Sequence, residues 1–218
     1  SIQGNVSYSF FPSPRIKFKN LKIQDFINKN KLLGEIGDVA IKVSFYNLHV
    51  KKKLNFTKII LKDAIINLDL ENVNKYKKFF KKKFHSKPLN LKEGEINFFD
   101  GPKLVATIKD ANFIYKHKNN TSESILKGGF INDEIYINLK NEKNDNNLTK
   151  FFVIKLPGFK ILTKGKLFSS ESDKENFNGN ILIKKDKNRI TGIFTYKDEK
   201  IIFKKDNLRN AFLDGKFS

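Results

Sequence analysis

Hydrophobic and polar residues alternate with a period of two along most of the chain. The alternation begins at Val6, Tyr8 and Phe10, stops at Pro12 and Pro14, and then resumes. A period of two is typical of β-strands, whose successive side chains point to opposite faces of a sheet. The runs recur about every 8–15 residues, which predicts an antiparallel meander. The later runs are residues 16–18, 39–45, 59–61, 66–70, 96–98, 104–108, 113–115, 135–139, 152–156, 181–183, 193–195 and 201–203.

Two segments depart from this alternation and predict short helices. Residues 25–33 read as one helix that ends at Gly34. Residues 71–85, "ENVNKYKKFFKKKFH", carry a stripe of aromatic residues at helical spacing, with lysines on the other face. Such a basic amphipathic helix can lie on an anionic membrane, or its stripe can cap one end of the sheet. The candidates for a membrane-surface helix are Tyr76, Phe79, Phe80 and Phe84.

The composition predicts a folded chain without disulfides. Hydrophobic residues make up 39% of the chain, including 22 Phe and 6 Tyr, which is too apolar for a disordered segment. The absence of cysteine excludes disulfides, thiolate metal sites and a cysteine nucleophile. No run approaches the roughly 18–20 apolar residues of a membrane helix. The chain also lacks methionine, so we expect Ser1 not to be a natural translation start.

The formal net charge of +20 has two explanations. An anionic partner such as a lipid headgroup or nucleic acid is one. A genome rich in A/T codons is the other, because Lys, Asn, Ile and Phe are all heavily used. Only Arg15, Arg189 and Arg209 are arginines, whereas nucleic-acid readers favour Arg for bidentate contacts. Lipid headgroups are therefore favoured over nucleic acid as the anionic partner.

No motif in the sequence indicates catalysis, a cofactor or a metal. His49, His85 and His117 are far apart and lack the spacing of metal ligands. No phosphate-binding loop, dinucleotide fingerprint or GxSxG elbow occurs. We therefore expect no enzymatic activity.

The order of the strand patterns resembles that of the AsmA family. The opening "GNVSYSFFPSPRIKFKNLKI" is similar to the amino-terminal strand pair of that family. It is followed by "LLGEIGDVAIKVSFYNLHVKKKLNFTKIILKDAIINLDLE", in which a small-residue turn, a long strand, a basic break and a second strand recur in the family's order. "LKEGEINFFDGPKLVATIKDANFIY" and "SILKGGFINDEIYINLKNE" resemble later strand pairs. The resemblance covers nearly the whole chain, although each piece is a degenerate β pattern.

The resemblance implies a mainly β fold, a long and strongly twisted antiparallel sheet curled into a gutter or open barrel, with one or two short helices. Residues 1–218 would be the N-terminal part of an AsmA-like domain, with a subdivision into 1–87 and 88–218. An inner-membrane helix would precede Ser1, and a C-terminal portion would follow. The domain would face the periplasm of a Gram-negative bacterium and take part in phospholipid transport and outer-membrane biogenesis.

An apolar face along a long sheet needs cover from a second layer, a partner or acyl chains. If it is a lipid groove, acyl chains lie along the inward residues, and lysines at the rims hold phosphate headgroups as point charges. The same residues would line a closed core if the sheet folds on itself. The groove candidates are Val39, Ile41, Val43, Phe45, Ile66, Leu68, Ile96, Phe98, Phe113, Ile135 and Ile137.

Three function classes remain. The leading hypothesis is a non-enzymatic lipid-handling module, whose partners are phospholipids and the membrane surface. The second is a scaffold domain that offers a sheet edge to outer-membrane assembly factors. The third, a nucleic-acid binder with stacking Phe and Tyr, is disfavoured because most Phe occupy the apolar phase of strands.

Overall fold

The computed structural model describes residues 5–49, 56–84, 87–144, 147–170, 176–197, 200–209 and 216–217. Strands account for most of these residues, so the predicted fold class, mainly β with an open antiparallel sheet and one or two short helices, is confirmed. The elements are β1 (Asn5–Ser9), β2 (Arg15–Gln24), β3 (Leu32–Val43), α1 (Phe45–His49), β4 (Phe56–Asp69), a 3-10 turn (Leu70–Asn72), α2 (Val73–Phe84), β5 (Leu89–Asp100), β6 (Lys103–Lys118), β7 (Thr121–Phe130), β8 (Asp133–Asn144), β9 (Asn147–Leu156), β10 (Ile161–Ser170), β11 (Phe177–Lys185), β12 (Asn188–Lys197), β13 (Lys200–Arg209) and β14 (Lys216–Phe217).

The chain divides into two compact units. The first unit comprises Ser1–Lys116 and Lys127–Ile131, and the second comprises His117–Leu126 and Asn132–Ser218. Residue 87, where we expected the boundary between subdomains, lies inside the first unit. The reason is that β4 and β5, which lie on either side of residue 87, pair with each other.

The first unit contains a sheet in the order β1-β2-β3-β4-β5-β6. Its pairs are antiparallel except for β4 and β5, which are parallel. The expectation of an antiparallel meander is therefore wrong at this pair. A parallel pair needs a crossover connection, and the 3-10 turn and α2 provide it. The predicted helix in residues 71–85 is thus confirmed, and it has a topological role.

The predicted helix in residues 25–33 is wrong, because Asp25 organises a turn there. The backbone N–H of Asp25 donates to the Lys31 carbonyl over 2.9 Å, and its side-chain Oδ1 accepts from the N–H of Ile27 over 2.8 Å. Asp and Asn side chains compete with helical hydrogen bonds in this way. The chain consequently turns back and enters β3 at Leu32, so that Gly34 lies within a strand.

A row of residues that interrupt the strand pairing crosses the sheet of the first unit. Asn20, Asp63, Glu93 and Asp110 each have φ near +50°, and they lie in β2, β4, β5 and β6. Gly37 of β3 lies opposite Asp63, where a Cβ would be only 3.2 Å from the Asp63 Cβ. The β5–β6 pairing shifts register on both sides of Gly94, as at a β-bulge, whereas β2, β3 and β4 keep the same register across the row. We call these five residues the bulge row.

The second unit contains β8 to β14, and each of these strands pairs antiparallel with the next. The two connections that the structure describes in full, between β9 and β10 and between β11 and β12, are short turns. The turn after β9 is held by the Asp133 carboxylate, which accepts hydrogen bonds from the N–H groups of Gly158 (2.7 Å) and Phe159 (3.1 Å). The described residues of this unit contain no helix.

Candidate functional site

Each unit carries one strongly apolar sheet face, and the register defines its members. In the first unit, Val39 pairs with Leu61, Leu61 with Leu91, and Leu91 with Phe113. Paired residues share a face, so these side chains lie in one row across β3 to β6. We call this surface the first apolar face. Its other members include Ile16, Phe18, Ile36, Ile41, Val43, Ile59, Ala64, Ile66, Leu68, Leu89, Ile96, Phe98, Ile108 and Ala111.

The bulge row keeps this face apolar along its whole length. On each side of the row the apolar residues alternate, but the phase changes by one residue at the bulge. In β4, for example, Ile59 and Leu61 precede Asp63, whereas Ala64, Ile66 and Leu68 follow it. Without the extra residue, one half of each strand would turn its apolar side chains to the other face.

The centre of the first apolar face is closed by the protein itself. Six residues that flank the bulge row are 4% exposed or less, so protein atoms already cover them. This part of the predicted groove is a core. The six residues are Ile36, Val39, Ala64, Leu91, Ile108 and Ala111.

The groove candidates of the first unit divide between this core and its margins. Val39, Val43 and Ile96 are buried. The remaining candidates that share the face, Ile41, Ile66, Leu68, Phe98 and Phe113, are partly exposed.

Phe45 departs from the prediction that placed it on the same strand as Val39. The strand ends at Val43, whose N–H donates to the Pro14 carbonyl over 2.9 Å. The chain then leaves the sheet at Ser44 and forms α1, in which Phe45 is 64% exposed.

The second unit carries a second apolar face, and it is covered less. Ile137 pairs with Ile154, Ile154 with Thr163, Thr163 with Ile183, and Ile183 with Ile190. All five side chains of this row are partly exposed. The adjacent row holds Leu139, Phe152, Gly165, Ile181 and Gly192. We call the two rows together the second apolar face. The candidate Ile137 lies on it, whereas Ile135, two residues before Ile137 on β8, is buried.

Glycines shape the middle of the second apolar face. The Phe152 ring lies over Gly165, so a Cβ at Gly165 would be 2.5 Å from the ring. Ile181 then lies between Gly165 and Gly192 along the same row. The Phe152 ring therefore occupies the space that a side chain at residue 165 would fill.

The opposite face of the same strands is basic. Lys164 and Lys166 of β10 and Arg189 of β12 line a cleft of about 530 Å³, together with the polar Asn180 and Thr191. No acidic residue lines this cleft among the residues that the structure describes. The lining also includes the apolar Phe151, Val153 and Leu182. It reaches four members of the second apolar face, namely Phe152, Gly165, Ile181 and Gly192. By register, Lys164 and Lys166 lie behind that face.

The aromatic stripe of α2 packs against the protein. Tyr76 is buried, its hydroxyl donates to Asp25 Oδ2 over 2.7 Å, and its ring meets Phe26 edge to face at 5.5 Å. Phe79 stacks on Phe26 at 4.3 Å between ring centroids. Of these two membrane-surface candidates, Tyr76 is therefore buried, whereas Phe79 is partly exposed. The side chains of Phe80 and Phe84 lie outside the described part of the chain.

Burial raises the pKa of Tyr76 to about 12, and the hydrogen bond to the Asp25 carboxylate adds to this effect. Two other carboxylates of the first unit also have structural roles. Asp69 caps the 3-10 turn by accepting from the Glu71 N–H, and Glu93 of the bulge row pairs with Lys62 at 3.3 Å.

Within the described ranges, no three His, Cys, Asp or Glu side chains are grouped as metal ligands would be. In the same ranges, no helix has the length and apolar character needed to cross a membrane.

Comparison with known proteins adds no relative. A scan against protein-family models found no match to this chain, and a search of curated proteins also found none.

Sequence reasoning missed the bulge row and most of the second apolar face. The sequence does contain a signal for the bulge row. A lysine and then a polar residue follow an apolar residue, and the apolar alternation resumes one residue out of phase, in "FKNL", "LKDA", "LKEG" and "IKDA". The second apolar face gives a weaker signal, because glycines and a threonine interrupt its apolar pattern.

Proposed function

We propose that this chain is a non-enzymatic lipid-handling module that holds acyl chains along an apolar sheet face. The resemblance to the AsmA family suggests the setting, phospholipid transport between inner and outer membranes and outer-membrane biogenesis. In that setting the chain is anchored in the inner membrane and faces the periplasm. No covalent step and no cofactor enter this function.

The observation that carries the proposal is the second apolar face. Its side chains run across five neighbouring strands, and each large one is partly exposed, although the unit has no helix in its described residues. Five strands spaced about 4.8 Å apart span about 19 Å, a distance comparable with an extended acyl chain. A lipid chain on this surface would remove apolar side chains from water without opening a core.

The energy scale is that of weak, reversible binding. Each buried methylene contributes about 0.8 kcal/mol, so about ten methylenes give roughly 8 kcal/mol. This gain exceeds the cost of association only where that cost lies at the lower end of its range, about 4–8 kcal/mol. The expected outcome is weak affinity and exchange, which suits a transport module.

The test is to purify the chain without detergent and to measure co-extracted phospholipid by mass spectrometry. We expect phospholipid in a constant molar ratio to protein, and we expect Ile181→Asp to lose it. The matched control is Leu182→Asp, because Leu182 is the next residue of β11, is also partly exposed, and lies on the basic face. Circular dichroism verifies that both variants fold. Retention of lipid by Ile181→Asp, or equal loss by both variants, contradicts the proposed site.

A scaffold function is the second candidate, and the closed centre of the first apolar face favours it. A sheet that already covers its own apolar face needs no acyl chain, and β1 remains at the sheet edge of the first unit for strand addition. A well-folded chain that carries no phospholipid, and that captures an unfolded outer-membrane strand peptide, would support this function instead.

A further inference from the structure

Five exposed aromatic residues of the first unit gather at one end of its sheet. Phe11 is 88% exposed, Phe10 76%, Phe45 64% and Tyr46 60%, and Phe56 is also exposed. We call these five residues the aromatic end. None of them belongs to the aromatic stripe of α2, and Phe56 borders the first apolar face because it pairs with Val43.

The hydrogen-bonded register brings these residues together. Phe10 and Phe11 follow β1 directly, and the Pro14 carbonyl beyond them accepts the N–H of Val43. Val43 in turn pairs with Phe56 and is followed within three residues by Phe45 and Tyr46. The aromatic end therefore combines the β1–β2 turn, α1 and the start of β4.

Cations stand immediately behind the aromatic end. Arg15, Lys42 and Lys58 pair in one row across β2, β3 and β4, next to the positions where the aromatic residues begin. The sequence is one-sided in charge here. Residues 1–24 contain four cationic residues and residues 39–62 contain six, whereas neither range contains an Asp or a Glu.

We propose that the aromatic end docks into the interface of an anionic lipid bilayer. Tyr is enriched at membrane interfaces because it combines an apolar ring with a polar hydroxyl, and exposed Phe rings enter the boundary between headgroups and acyl chains. Basic residues directly behind them attract an anionic surface, and the absence of acids removes the opposing repulsion. This pattern of exposed rings backed by cations matches a lipid surface better than a protein partner, which would be expected to present its own apolar pocket.

The proposal does not depend on lipid transport, because it concerns attachment of one end to a bilayer, whereas the proposed function concerns single lipids on the second apolar face. The two can therefore fail separately. Replacing both Phe10 and Phe11 by Ser is expected to reduce vesicle binding on the order of tenfold and to leave co-extracted phospholipid unchanged.

The absence of tryptophan makes a direct test available. Phe11→Trp introduces a single reporter at the aromatic end, and Phe159→Trp introduces the control in an exposed turn of the second unit. Each variant of the 218-residue chain is mixed with anionic vesicles of about 70% phosphatidylcholine and about 30% phosphatidylglycerol. We expect the emission of Phe11→Trp to shift to shorter wavelength and to be quenched by brominated acyl chains, while Phe159→Trp stays unchanged.

Three outcomes overturn the proposal. An unchanged Phe11→Trp spectrum on these vesicles excludes insertion of the aromatic end. An equal response of the two reporters shows non-specific adsorption. A shift of Phe11→Trp that depends on protein concentration without vesicles assigns the aromatic end to a second copy of the chain. Vesicles of phosphatidylcholine alone test the charge argument, and equal binding to them overturns the role of Arg15, Lys42 and Lys58.

Discussion

The two units share the same alternating strand pattern, but the apolar face that it produces is closed in the first unit and partly exposed in the second. In the first unit, the bulge row brings apolar residues of five strands onto one face whose centre is closed to water. In the second unit, a comparable row of four isoleucines and a threonine stays partly exposed, and in the adjacent row the Phe152 ring lies over Gly165. Alternation of apolar residues therefore predicts a sheet face, but it does not predict whether that face becomes core or open surface.

The largest difference between the two faces is expected when a charged side chain is placed on each of them. Val39→Asp places an unpaired carboxylate in the centre of the first apolar face, and we expect a loss of about 3–5 kcal/mol in the free energy of unfolding. Ile181→Asp on the second apolar face should cost less than about 1.5 kcal/mol, because the carboxylate stays in contact with water. Urea unfolding followed by circular dichroism measures both. Similar losses for the two variants would show that the second face is as closed as the first.

A smaller effect is expected at the hydroxyl that fixes α2 to the first unit. Tyr76→Phe leaves the buried Asp25 carboxylate without its 2.7 Å hydrogen bond, and we expect a loss of about 1–3 kcal/mol at neutral pH. The second unit lacks a described helix, so its unfolding free energy should not change in Tyr76→Phe. Urea unfolding measures the loss, and where the two units unfold in separate transitions, only the transition of the first unit should shift.

The same residue predicts a dependence on alkaline pH. Because the pKa of Tyr76 is raised in the folded state, from 10.0 to about 12, its contribution is complete below pH 10 and is lost as pH rises through 12. The unfolding free energy of the unaltered chain should therefore fall more steeply over this window than that of Tyr76→Phe. Parallel curves would contradict the buried position of the hydroxyl.

The smallest effect is expected in the second unit, at the Asp133 carboxylate, which fixes the turn after β9 by hydrogen bonds. Burial raises the pKa of Asp133, but hydrogen bonds from the N–H groups of Gly158, Phe159 and Glu134 outweigh burial, so the pKa lies below its usual value of 3.8. A lowered pKa stabilises the fold above 3.8 and loses this effect as pH falls through the folded-state value. Asp133→Asn should therefore unfold at a lower temperature than the unaltered chain at pH 7, and the difference should shrink at about pH 3. A difference that is unchanged by acid would show that the charge of Asp133 is irrelevant.

The sequence predicted what depends on local pattern and missed what depends on pairing. The strands and α2 could be found because periods of two and of 3.6 residues are written in short windows. The parallel pair of β4 and β5 could not, because it depends on where α2 returns the chain. The helix expected at residues 25–33 failed because the Asp25 side chain has two better partners in the folded state, the N–H of Ile27 and the hydroxyl of Tyr76.

The candidate site was predicted in the same uneven way. The shared face of Ile41, Ile66 and Phe98 followed from alternation, whereas the burial of Val39 and Ile96 depends on how the strands curve together. Phe45 was misplaced because nothing in a period of two tells where a strand ends. The aromatic end was missed since exposure is a property of the assembled sheet and cannot be read from one segment.

At the bulge row, the residues that point to the first apolar face change between odd and even numbers. On β2 the apolar face carries even numbers before Asn20 and odd numbers after it, while on β4 it carries odd numbers before Asp63 and even numbers after it. Deleting Asp63 alone would leave Ile59 and Leu61 in place and send Ala64, Ile66 and Leu68 to the polar side. Length changes in this sheet are thus constrained in a way that substitutions are not: a strand can gain or lose residues at the row only in pairs.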